Sequence, residues 1–266
     1  LISLKSESGT EYIWQRDPAH WKSSSPLLFP TVGNCRDGKY TLNGQIYSIP
    51  KHGFCRNADF AVSVLSEQEA SFILTDSPET RAHYPFAFHL KLTYALTEDG
   101  IRIHYTVTNP GTGPMYYQLG AHPGFNCPLH SGERFEDYVL EFEQEGTAGY
   151  HSYDLNRMEF NMNSYTPILD HAAVIPLTHE LFANDAIFFT DLRSKKVALK
   201  NQATGYGVEV SYPDFATVAF WTAAATKAPF LCVEPWNGSA IRSDEDDNFL
   251  NRHFLQKVES GESKEY

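Results

Sequence analysis

Phe86-Ala87-Phe88-His89-Leu90-Lys91-Leu92-Thr93-Tyr94-Ala95-Leu96, followed across Asp99-Gly100 by Ile101-Arg102-Ile103-His104-Tyr105-Thr106-Val107, decides the fold class. Apolar residues recur at every second position in both runs, the period of a strand with one buried and one wetted face. Asp-Gly turns the chain between them, so the two runs form an antiparallel hairpin. Sustained helical periodicity is missing elsewhere, apart from a turn at Ser77 to His83.

Outward from that hairpin the pattern repeats. Asn43-Gly44, inside Tyr40 to Tyr47, marks a second hairpin, because that dipeptide takes up the positive φ angles of a tight turn that matches strand twist. Leu1 to Leu4 and Thr10 to Trp14 read as another, turning at Ser8-Gly9, whereas Asp17 to Pro30 is rich in Ser and Pro and reads as loop. Further strands are expected at Phe60 to Leu65, Ser71 to Thr75, Tyr138 to Phe142, Ala186 to Phe189, Lys196 to Lys200, Val208 to Ser211 and Thr217 to Trp221. Many short strands between turn signals imply an all-β chain folded as a large antiparallel β-sandwich. Residues 1–266 read as one domain, open to trimming at either end because the chain starts at Leu1 without methionine.

A hydrophobic fraction of 42% is ample for a core, and the aromatic share of 14% suits strands and, in a groove, flat faces for sugar rings. The net charge of −12 argues against nucleic acid and anionic membranes, which call for a basic face. No run approaches the ~18 apolar residues of a membrane span. Cys35, Cys55, Cys127 and Cys232 are scattered singly, which points to reduced thiols in a cytoplasmic protein and not to a zinc site. Asp244-Glu245-Asp246-Asp247 reads as a solvated loop, since it lacks the alternating ligands of a calcium loop.

Two stretches carry the candidate chemistry. In Gly120-Ala121-His122-Pro123-Gly124-Phe125, the proline keeps His122 extended and Pro-Gly turns the chain, so a strand end either presents the imidazole as a proton donor or merely caps a turn. In Leu231-Cys232-Val233-Glu234-Pro235-Trp236-Asn237-Gly238, an apolar run ends on Glu234, whose carboxyl burial would push toward the neutral form. Glu234 reads either as a base or as the partner of an arginine. Trp236 would lie near a ligand, brace Glu234 or pack in the core.

His52, Gly53 and Arg56 share a compact loop in which Gly53 could let a ligand approach the backbone. Arg36 offers a rigid fork of donors from another loop, and Asp185 precedes an apolar strand. Each of these also has a plain surface or turn reading. Metal-binding spacings, a nucleophile elbow and a phosphate-cradling glycine loop are not found.

Leu28-Phe29-Pro30 leading to Gly33, then Pro50-Lys51-His52-Gly53-Phe54 through Arg56, then Gly120 to Phe125, then Val233-Glu234-Pro235-Trp236, resemble in that order an aldose 1-epimerase, or mutarotase, of the LacX-like branch. The similarity spans nearly the whole chain and implies the galactose mutarotase-like supersandwich. It implies Glu234 as catalytic base, His122 as catalytic acid, and His52, Arg36 and Asp185 as contacts to sugar hydroxyls. Gly-Ala-His-Pro-Gly-Phe departs from the Asn-His-x-Tyr-Phe-Asn of galactose mutarotases proper, so a preference for galactose is not implied.

The expected reaction interconverts α and β anomers of an aldose, free or phosphorylated. Glu234 takes the proton of the C1 hydroxyl while a charged His122 protonates the ring oxygen, without cofactor or metal. The alternatives are a carbohydrate-binding or sugar-sensing protein without turnover and, third, a lyase or hydrolase on a related sandwich, a glycosidase usually needing a second carboxylate. Lys51, Arg36 and Arg56 concentrate positive charge near the site of an acidic chain and could attract an anionic group, pairing with Asp37 and Asp59 being the weightier explanation. Sequence does not indicate the oligomeric state.

Overall fold

A computed structural model describes residues 1–266. Three antiparallel sheets build the sandwich. The diagnostic hairpin forms His89–Leu96 and Ile101–Thr108, paired from His89 against Thr108 to Leu96 against Ile101. Leu90, Leu92, Tyr105 and Val107 are buried, as the alternation requires, and burial fades toward the turn, where Leu96 is 58% exposed. Glu69–Thr75, Ala61–Leu65 and Ser263–Glu265 complete that sheet. Asn43 and Gly44 both take positive φ, 51° and 79°, and close Lys39–Leu42 onto Gln45–Ser48 as the sequence indicates.

The second sheet orders Thr166–Pro176, Tyr138–Tyr150, Lys196–Asn201 and Gly207–Ser211. Tyr138–Tyr150 extends well beyond the expected Phe142, and Thr166–Pro176 was not anticipated. Register shifts between Glu141 and Gly149 explain both omissions, since a bulge breaks the two-residue alternation and removes the signal. The expected N-terminal hairpin reduces to single bridges, Lys5 to Glu11 and Ile13 to Phe125. Ser77 caps the one α-helix, Pro78–His83, by accepting from the Thr80 N–H.

The third sheet positions the site. Its central strand, Phe230–Asn237, pairs along one edge with Thr217–Trp221 and along the other with both Leu119–Ala121 and Gly124–Asn126. All eight of its residues are buried. Leu231 and Val233 face the main core, which draws on all three sheets, while Phe230, Cys232, Glu234 and Trp236 line the opposite face. Glu234 therefore sits inside a strand and not at its end. Pro235 does not break the strand because its missing N–H, on the same side as the Val233 N–H that reaches the Pro123 carbonyl, falls where the neighbouring ladder is itself interrupted.

The acidic run keeps Asp244, Asp246 and Asp247 exposed, as a solvated loop would, but Glu245 departs from that reading. Glu245 is buried against Arg252 and His253, Asp244 pairs with Arg242, and Asp247 pairs with Arg36. All four cysteines are free and buried. No helix is long and apolar enough to cross a membrane.

Candidate functional site

His122-Pro123 interrupts the edge ladder between Leu119–Ala121 and Gly124–Asn126. Gly120 pairs with Trp236 on one side of the break and Gly124 with Cys232 on the other. That constant register puts His122 directly opposite Glu234. Its Nε2 lies 3.2 Å from Glu234 Oε2, and the two residues are 8% and 1% exposed. Neither His122 Nδ1 nor Glu234 Oε2 has a hydrogen-bond partner, so the 3.2 Å approach is a close contact and not a formed hydrogen bond. Gly120 is required beside the break, because a Cβ there would come within 2.6 Å of Trp236 Cδ1.

Burial controls both groups. It pushes the Glu234 carboxyl well above its ordinary range, with Asp185 adding in the same direction and Lys51 and Arg56 opposing. His122 is lowered to about 3, by burial first and then by the charges of Arg56 and Lys51. The charged imidazole expected from sequence is thus not the form that this buried setting favours. With the carboxyl driven toward its neutral form and the imidazole uncharged, the pair carries one exchangeable proton, on Glu234, which is the count needed for one acid and one base.

His52 stands beside the pair, its ring centroid 5.6 Å from that of His122. It adopts a positive φ of 68°, and its Nδ1 accepts from the Gly33 N–H at 3.0 Å. The remaining proton is therefore on Nε2. Burial, followed by the charges of His122, Lys51 and Arg56, holds the ring neutral, so His52 offers a fixed N–H donor. Gly53 serves the fold and not ligand approach: its φ is 73°, and a Cβ would lie 2.1 Å from the Phe29 carbonyl oxygen.

The other candidates divide. Arg56 and Asp185 are half-buried and close enough to act on Glu234; Asp185, at φ 73°, accepts from its neighbour's Ala186 N–H. Arg36 is not brought to the pair. Its guanidinium is occupied by Glu159 at 3.0 Å, Asp247 at 3.1 Å and the carbonyls of Arg242 and Glu245. It lines a neighbouring open cleft of about 740 Å³ with Asn34, Lys51 and Glu159, to which neither His122 nor Glu234 contributes. Trp236 is 3% exposed and packs among Leu28, Val32, Phe160 and Phe188, so of the expected roles it takes packing.

Sequence reading missed the aromatic walls. Trp21 stacks on His122 with centroids 4.9 Å apart, and Trp221 meets the same ring edge-on at 5.8 Å. Trp21 lay in a polar segment read only as loop, where a lone tryptophan was the available signal. The closest approach to a metal-ligand set is His122, Cys232 and Glu234, whose donor atoms lie within 4.8 Å of one another. Occupying it with a divalent ion would require the pair's proton to leave.

The aldose 1-epimerase family model matches residues 1–246. The chain is 33% identical over 264 residues to the chromosomal protein LacX of Lactococcus lactis subsp. lactis, covering 97% of this chain and 88% of that protein. A galactose mutarotase related enzyme from Lactobacillus acidophilus superposes with a TM-score of 0.93 at 30% identity, covering 99% of this chain and 88% of the other. For a galactose mutarotase-like protein from Lactobacillus casei the values are 0.91 and 29%, covering 100% and 90%. The sandwich is thus the galactose mutarotase-like fold.

Proposed function

The chain belongs to the aldose 1-epimerase family, and from that footing we propose that it is a mutarotase acting on an aldose in the cytoplasm. The observation that carries the reading is the buried cross-strand pair, with His122 Nε2 3.2 Å from Glu234 Oε2. Glu234 takes the proton of the C1 hydroxyl while His122 gives one to the ring oxygen. The C1–O5 bond opens, the C1–C2 bond rotates, and the roles reverse on closure. The reaction starts from the tautomer with carboxylate and imidazolium. One proton transfer across the pair produces that tautomer without changing the net charge, and sugar hydroxyls supply the hydrogen bonds that burial removes from the charged forms.

Trp21 and Trp221 supply apolar faces beside His122, His52 donates from Nε2, and Asp185 and Arg56 border Glu234. Anomer exchange followed by NMR across a panel of aldoses tests the proposal. Catalysed exchange that disappears in Glu234→Gln supports it. Sugar binding without exchange would make the protein a carbohydrate-binding or sensing module instead.

A further inference from the structure

We infer that Lys51 and Arg56 form a seat for an anionic substituent, a phosphate or carboxylate carried by the aldose. The inference rests on the mutarotase reading and adds the charge class of its substrate.

Four arginines are not exposed, namely Arg36, Arg56, Arg242 and Arg252. Arg36 ends on Glu159, Arg242 on Asp244 and Arg252 on Glu245. Arg56 ends on no carboxylate; its one side-chain hydrogen bond goes to Ser23 Oγ at 3.2 Å, which leaves most of the five N–H donors of its guanidinium unengaged. Burial disfavours its charge, and the acid that acts on it is Glu234, which burial itself drives toward the neutral form. A partly desolvated cation without a counter-charge is costly, and a ligand anion would remove that cost.

Lys51 is exposed and likewise forms no ion pair, so Asp37 and Asp59 do not neutralise either cation. Both positions are tied to the reacting pair. Lys51 lines the neighbouring cleft with Arg36 and, like Arg56, acts through space on His122 and Glu234, and Arg56 reaches Ser23, two residues from the Trp21 that stacks on His122. Two positive side chains at the edge of a buried acid–base pair, in a chain of net charge −12, form a local reversal of potential that draws in an anion and orients it. The third cation suspected from sequence, Arg36, is already neutralised and takes no part.

The test measures kcat/KM for anomer exchange of glucose, glucose 6-phosphate and glucuronate at low and high salt, in the parent, Lys51→Gln and Arg56→Gln. Glucose 6-phosphate should exceed glucose by about tenfold or more at low salt, and the advantage should shrink as salt rises and in both variants. An equal advantage for glucuronate assigns a general anion seat, and none for glucuronate assigns phosphate. Equal values for all three sugars, unaffected by salt or substitution, overturn the inference and leave mutarotation standing. Thermal unfolding with inorganic phosphate gives a readout independent of turnover: phosphate should raise the parent's Tm and not that of the variants. Such protection without exchange of any sugar would count against mutarotation and keep the anion seat, and the absence of both would remove both.

Discussion

His122 and Glu234 are cross-strand neighbours, fixed opposite each other by ladders that keep one register on both sides of the His122-Pro123 break. A strand supplies the carboxylate, and a gap in the adjacent edge supplies space for the imidazole. The acid–base distance of 3.2 Å is thus set by sheet geometry and not by a mobile loop.

The two histidines should divide the work. His122→Gln is expected to lower kcat by about 10²–10⁴-fold with little change in KM, because its proton matters in the transition state. His52→Asn removes a preset donor and should chiefly raise KM. Steady-state kinetics on both variants checks the assignment, and the reverse pattern would exchange the roles.

Stability should fall on mild acidification. Unfolded imidazoles take up protons as pH falls below 6.5, whereas burial keeps His122 neutral down to about 3 and His52 neutral well below its ordinary value. The unfolded chain therefore binds more protons in that window, and stability is lost as pH drops through it. Glu234 acts oppositely: its raised carboxyl contributes fully below 4.5, and that contribution is lost as pH rises through its folded value. Denaturant titrations between pH 7.5 and 5 should show a smaller acid-side loss in His122→Gln than in the parent. An unchanged slope would mean that His122 titrates freely in the fold.

The tryptophans should separate cleanly. Trp21→Ala should raise KM by removing an aromatic face beside His122. Trp236→Ala should cost about 3–5 kcal/mol of stability, as expected for truncating a fully packed tryptophan, and Trp236→Phe should leave KM near the parent value. Thermal melts combined with KM measurements distinguish these outcomes.

Much of this was legible in the sequence, for reasons that also mark the limits. Period-two runs such as Leu90-Lys91-Leu92 announce strands wherever the ladder is regular, and they fail at Tyr138–Tyr150, where bulges shift the alternation. His122 and Glu234 stand out because each adjoins a proline within an apolar strand context. Their partnership across the sheet depends on register between segments more than 100 residues apart, which local pattern does not encode. Arg36 shows the converse: a free-looking loop arginine was neutralised by Glu159 and Asp247, both distant in sequence. Trp21 was hidden because a loop carries no periodicity.

Activity should survive dialysis against a chelator, because the proposed chemistry needs only the pair's proton. Added Zn²⁺ should inhibit, since His122, Cys232 and Glu234 could bind it only by giving up that proton. Cys232→Ser should weaken the inhibition. Activity lost to a chelator and restored by one divalent ion would contradict the metal-free account.

The most direct measurement is anomer exchange by NMR in the parent, Glu234→Gln, His122→Gln and the double variant. If the two side chains act as one unit, each single variant falls by at least about 10²-fold and the double variant is no slower than the slower single. Near-parent exchange in either single variant, or losses that simply multiply in the double, would contradict an acid–base pair sharing one proton.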